Sequence, residues 1–104
     1  MSTGTVLVEV RNERRRQDEK WGVQSHPDGT GIGPYWSERA EAQKDMNAMA
    51  VERGALTWRG ILEEEVFEAF AESDKALLRA ELLQVAAVAI AWVEHNDRQK
   101  GEPT

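Results

Sequence analysis

Five glutamates carry the chemistry of this chain. The stretch Ile61 to Glu72 reads ILEEEVFEAFAE, and at about 100° per residue a helix there places Glu64, Glu65, Glu68 and Glu72 in one angular sector. Glu64–Glu68 and Glu68–Glu72 are i,i+4 pairs of like charge, and Glu65–Glu68 is an i,i+3 pair. Each such repulsion costs roughly 0.2–0.5 kcal/mol in an isolated helix. Arg59 can offset Glu63 and Lys75 can offset Glu72, but no lysine or arginine lies between Glu63 and Glu72. A solvated outer face is the ordinary explanation for an acidic stripe. The fifth glutamate, Glu81, is harder to explain that way. On a helical wheel it falls among Leu77, Leu78, Val85, Val88 and Trp92, so its carboxylate emerges from an apolar surface. An unpaired charge in such a setting costs several kcal/mol. Its partner is either an arginine from another helix, with Arg14, Arg39 and Arg59 as candidates, or a divalent cation shared with the neighbouring glutamates.

The spacing favours the cation. Glu65 and Glu68 are three residues apart, as are Glu81 and Gln84, so each pair projects from one side of its helix. Facing helices that present carboxylates in this way hold divalent ions inside bundles. Oxygen-only ligation suits a hard ion, Mg²⁺ or Mn²⁺. The rest of the composition narrows the alternatives. There is no cysteine and there are two histidines, His26 and His95, which removes thiol catalysis, disulfides and cysteine-ligated zinc, and argues against a histidine-rich metal site. The net charge of −6 argues against a nucleic-acid polymer as partner.

The elements that must position these residues read as four helices in one all-α domain over residues 1–104, an antiparallel four-helix bundle-like arrangement. The first helix is expected over about Thr5 to Lys20, with Val6, Val10, Gln17 and Trp21 on its packed stripe and Gly22 as its stop. The second begins after Ser37 as N-cap, carries Ala42, Met46, Met49 and Ala50 inward, and ends at Gly54. The third runs from near Thr57 to about Ser73, with Trp58, Leu62, Val66, Phe67, Ala69 and Phe70 on its apolar arc. The fourth is capped by Asp74 and continues to about Asn96, leaving 97–104 as a frayed tail. Between the first two helices, Gly22 to Tyr35 is too heavily punctuated by Pro27, Asp28-Gly29, Gly31, Gly33 and Pro34 to form a helix or a strand. Trp21 and Trp36 at its edges are expected to anchor it.

From Leu82 to Val93 the fourth helix reads LLQVAAVAIAWV, apolar almost all round. One small chain can hardly cover it, so a homodimer or homotetramer is expected. No uninterrupted apolar run reaches bilayer length, and the start lacks the basic-then-apolar order of a signal peptide. A cytoplasmic location without a membrane partner is the resulting expectation.

Glu64-Glu65-Val66-Phe67-Glu68 followed by Glu81-Leu82-Leu83-Gln84 resembles the EExxE…ExxD signature of the MazG-type all-α nucleoside triphosphate pyrophosphohydrolases. The resemblance covers about Trp58 to Glu94. It implies an enzyme that splits nucleoside triphosphates into a monophosphate and pyrophosphate, with Mg²⁺ or Mn²⁺ as cofactor. Carried across, it makes Glu65, Glu68 and Glu81 metal ligands and Glu64 a ligand or the group that orients the attacking water. Gln84 stands where the family has aspartate. Its carbonyl oxygen can coordinate, but the site loses one negative charge, which leaves a catalytically weak binding or regulatory oligomer as the alternative. Cationic side chains should position the phosphates. Candidates are Arg14, Arg15, Arg16 and Lys20 on the first helix and Arg39 or Lys44 on the second, although Arg14–Asp18 and Arg15–Glu19 also fit ordinary solvated pairs. Trp21, His26, Tyr35 and Trp36 could stack on a base. Asn47 and Asp45 could reach a ligand, with exposed surface as the simpler reading.

Overall fold

A computed structural model describes residues 2–101. Among these the chain is all-helical: α1 is Thr3–Trp21, α2 Tyr35–Glu52, α3 Trp58–Ala71 and α4 Lys75–Gly101. The expectation of an all-α chain with four helices is met. Two compact units are distinguished, one made of residues 2–28 and 90–101, the other of 29–89.

In the first unit, α1 starts two residues earlier than its apolar spacing suggests, because Ser2 caps it: the Thr5 amide donates to Ser2 Oγ at 3.2 Å. It stops as expected at Gly22, whose φ of 72° lets its N–H turn back to the Asp18 carbonyl. Val6 is the buried anchor at 1% exposure. Val10 and Trp21, expected on the same stripe, are instead exposed at 42% and 63%. Thr3 Oγ1 hydrogen-bonds the Glu94 carboxylate within this unit.

The second unit contains α2, α3 and the first half of α4. Here α2 begins at Tyr35 rather than after Ser37. Pro34, in αR conformation at φ −91°, occupies the N-cap position, and the Ser37 hydroxyl, already inside the helix, donates to the Pro34 carbonyl. At the other end Gly54 adopts φ 66° and the Ala55 amide returns to the Ala50 carbonyl at 2.8 Å, closing the helix. The inward set expected for α2 needs correction. Met46 and Met49 are exposed at 60% and 50%, Ala42 is exposed, and the half-buried positions are Trp36, Ala40, Gln43, Asn47 and Ala50. These place a polar pair, Gln43 and Asn47, where α2 packs on α3.

Thr57 caps α3 by accepting from the Gly60 amide at 3.0 Å, as its sequence position suggests. The helix ends at Ala71, two residues short of the expected Ser73, because the preceding loop satisfies its last carbonyls. The Gly31 amide donates to Phe70 O at 2.9 Å and Thr30 Oγ1 to Glu72 O at 2.7 Å. Gly31 sits so close to Ser73 that an added Cβ would be 2.5 Å from the serine Cβ, and its φ of 71° excludes a side chain independently. Trp36 anchors the end of the loop, stacked on Phe67 with centroids 5.6 Å apart and edge-on to Phe70 at 4.9 Å. One of the two expected tryptophan anchors is therefore present, while Trp21 is solvated.

Asp74 caps α4, its carboxylate accepting from the Leu77 amide at 2.9 Å. The helix runs to Gly101, five residues past the expected Asn96, so most of the supposed frayed tail is helical; residues 102–104 lie outside the described region. Leu78 is buried, whereas Leu77, Leu82, Leu83 and Val93 are exposed at 56%, 52%, 55% and 43%. Over Lys75–Gln99 this helix is long and apolar enough to cross a membrane by length and composition alone. The span includes Arg79, Glu81 and Gln84, so it passes on average hydropathy and not as an uninterrupted apolar run. The core helix of a soluble protein passes the same test.

Candidate metal centre

The three acids that the sequence pairs by spacing meet in the second unit. Glu65 and Glu68 lie one turn apart on α3. The connection to α4 leaves only residues 72, 73 and 74 outside the helices, and this short return brings Glu81, two turns into α4, to the same place. One carboxylate oxygen from each of Glu65, Glu68 and Glu81 lies within 4.8 Å of the others, and all three side chains are partly buried. Glu65, Glu68 and Glu81 are the residues that would hold a divalent ion here, each through a carboxylate oxygen, with their side chains closing in on it.

The electrostatics are those of a crowded, partly buried acidic cluster that could hold a cation. Glu65 Oε2 and Glu81 Oε2 are buried and have no hydrogen-bond partner. Orphaned buried carboxylate oxygens are costly and call for a counter-charge. Desolvation pushes the Glu68 carboxyl up to about 7, with the charges of Glu65, Glu81 and Glu64 and a hydrogen bond to Glu81 adding to the effect. Glu65 is raised as well, first by desolvation and then by Glu81 and Glu64. Without a cation, then, Glu68 keeps its proton closer to neutral pH than an ordinary glutamate does, because burial and neighbouring carboxylates both disfavour its ionised form.

The guanidinium groups considered as partners for Glu81 are engaged elsewhere. Arg14 pairs with Asp18 at 2.7 Å and also bonds Gln17. Arg59 pairs with Glu63 at 2.9 Å. Arg39 lies over the Phe67 ring at 5.2 Å. The donor set of three carboxylates with two orphaned oxygens fits a hard divalent ion, and nothing in it favours Mg²⁺ over Mn²⁺.

The remaining expected residues are placed as follows. Glu64 is half-buried beside the triad and accepts a hydrogen bond from Asn47 Nδ2 at 2.8 Å. Gln84 is exposed, one turn beyond Glu81. Arg14, Lys20 and Trp21 belong to the first unit, where Lys20 Nζ sits 4.9 Å from the Trp21 ring. His26 bonds Gln24 at 2.8 Å. Lys44 is exposed and lines a cavity of about 270 Å³ together with Asn47, Ile61, Glu64 and Glu65. A larger cavity of about 530 Å³ runs along α2 and α3 past Arg39, Gln43, Asn47, Glu63 and Phe67.

Asn47 is the residue whose part sequence reasoning understates. Its amide donates to both Gly60 O and Glu64 Oε1, at 2.9 and 2.8 Å, and its Oδ1 accepts from Gln43 at 3.0 Å. The available signal is a pair of oddities. Asparagine and glycine are both poor residues for a helix interior, and Asn47 and Gly60 occupy such positions on two helices that pack together. Compared with protein-family models, with curated proteins and with solved structures, the chain matches none.

Proposed function

We propose that this protein is a Mg²⁺- or Mn²⁺-dependent nucleoside triphosphate pyrophosphohydrolase of housecleaning type, converting NTP or dNTP to NMP or dNMP and pyrophosphate. The observation that carries the reading is the convergence of Glu65, Glu68 and Glu81, from two helices, with two buried oxygens left unpartnered. In this reading those three hold the metal, and Gln84 offers its amide carbonyl from the next turn of α4. When bound, the dication supplies neutralisation of the phosphate oxygens and acidifies the attacking water. Glu64, held by Asn47, orients that water toward the α-phosphorus. The new P–O bond forms as the α–β bridging bond breaks, pyrophosphate leaves with the bonding pair, and the attacking water gives up its proton to the Glu64 carboxylate. Lys44, on the rim of the cavity it shares with Glu64 and Glu65, is placed to pair with a phosphate oxygen.

The exposed leucines of α4 support a homodimer or homotetramer. Another copy of the chain suits this helix better than a bilayer, because Arg79 and Glu81 lie within it and each charge in hydrocarbon costs about 2.5–3.5 kcal/mol or more. A cytoplasmic enzyme follows from that choice. The second reading, a catalytically weak helical oligomer that binds a metal or a partner, draws on Gln84, which lacks the charge of the aspartate in the MazG-type signature. A pyrophosphate-release screen over a broad nucleotide panel with Mg²⁺ and Mn²⁺ separates the two. Turnover that Glu65→Ala and Glu68→Ala abolish supports the enzyme. No turnover on any nucleotide, with the oligomer persisting in both variants, supports the binding module.

A further inference from the structure

We propose that Asn47 is a positioning residue that sets the metal centre through Glu64, and that Gly60 exists to seat it. The inference rests on the reading of the Glu65/Glu68/Glu81 cluster as a metal site. Asn47 is half-buried between α2 and α3, and its hydrogen bonds leave it little freedom. Nδ2 donates to the Gly60 carbonyl at 2.9 Å and to Glu64 Oε1 at 2.8 Å, while Oδ1 accepts from Gln43 Nε2 at 3.0 Å. The two acceptors on α3, Gly60 O and Glu64 Oε1, fix which end of the amide faces that helix, since only the NH₂ group can donate to them. Gly60 makes the approach possible: a Cβ there would stand 2.7 Å from Asn47 Oδ1.

The consequence falls on Glu64. Its neighbours Glu65 and Glu68 belong to the triad, and the charge of Glu64 is felt by both. A long glutamate side chain free to rotate would sample many positions relative to that cluster. Tethering one oxygen to α2 restricts it to the rotamers that keep the carboxylate beside Glu65, in the wall of the cavity they share with Lys44. Partners that orient a ligand or its neighbour in this way typically change metal affinity 10–100-fold when removed.

The test is a Mn²⁺ titration by calorimetry on the full chain, at one pH, for wild type, Asn47→Ala, Glu64→Gln and the double variant. The expected result is a loss of about ten-fold in Mn²⁺ affinity for Asn47→Ala, and a double variant no weaker than Glu64→Gln alone. Gly60→Ala removes no polar group, displaces the amide from the other side and should reproduce the loss; it carries the test if Asn47→Ala fails to fold. Unchanged affinity in Asn47→Ala or Gly60→Ala, or penalties that add in the double variant, overturns the inference while leaving the metal site intact. A wild-type protein that takes up no Mn²⁺ overturns the metal reading and this inference together.

Discussion

Glu68 of α3 and Glu81 of α4 bring one carboxylate oxygen each to within 4.8 Å, and Glu65 adds a third within the same distance. Burial and crowding favour a proton on Glu68, whose carboxyl is pushed up to about 7. A divalent cation bound at the proposed site would do the same work with more charge, so pH and metal would compete there.

Stability of the metal-free protein should fall as pH rises from about 4 to about 7. The Glu68 carboxyl holds its proton up to about 7 in the native state, whereas an unfolded glutamate releases it near about 4.3. Below the lower value both states are protonated and the full stability is present. Between the two, the native state binds more protons than the unfolded chain, so unfolding becomes easier as pH increases, and the loss levels off above the native value. Thermal melts in EDTA from pH 4.5 to 8 check this. A melting temperature that rises across that interval for wild type but not for Glu68→Gln contradicts it.

Mn²⁺ affinity should change in the opposite sense, strengthening as pH rises through about 7, because the ion must displace the proton. Proton release on binding, read by calorimetry in buffers of different ionisation enthalpy, should be larger at pH 6 than at pH 8. Equal release at both values would count against Glu68 as a ligand.

Glu68→Gln should cost metal binding and yet stabilise the metal-free protein at pH 8. Relief of like-charge repulsion of roughly half a kcal/mol corresponds to about 2–4 °C in a domain of this size. The comparison is a melt in EDTA beside a Mn²⁺ titration. A variant that loses stability in EDTA while binding metal normally would show that the side chain is structural.

The helices are largely legible in the sequence, and the departures have identifiable causes. Thr57 and Asp74 cap α3 and α4 as their positions suggest, and Gly22 ends α1. Ser37 is the obvious N-cap for α2 by residue type, but Pro34 starts the helix one turn earlier because it needs no amide partner there. Met46 and Met49 follow helical spacing and are nonetheless exposed: periodicity identifies an apolar face without saying what covers it. The acidic triad is readable in part: Glu65 and Glu68 share one side of α3 by i,i+3 spacing, whereas the meeting with Glu81 depends on how α4 packs. Asn47 is not, because its role depends on which residue of α3 it meets, and only tertiary packing determines that.

Gln84→Asp should strengthen Mg²⁺ binding. A carboxylate about 5 Å from a dication in a water-like environment contributes about 1.7 kcal/mol, roughly twenty-fold in affinity. Gln84 is exposed, so the screened value is the relevant one. Equal or weaker Mg²⁺ binding in the variant, measured by isothermal titration, would count against placing this residue beside the ion.

Leu82 and Leu83 expose more than half of their surface on α4, and a second copy of the chain should cover them. Light scattering coupled to size exclusion should give a dimer or tetramer for wild type and a smaller species for Leu83→Glu. A monomeric wild type at tens of micromolar (roughly the range where an interface of ordinary size saturates) would remove the oligomer from the account.

The most direct measurement of the central claim is a crystal of the protein soaked in Mn²⁺, with anomalous diffraction collected to locate the ion. The account predicts a peak bonded to oxygens of Glu65, Glu68 and Glu81, absent in Glu65→Ala. Carboxylates that stay turned into solvent or pair with guanidinium groups, with no anomalous density between them, would contradict it.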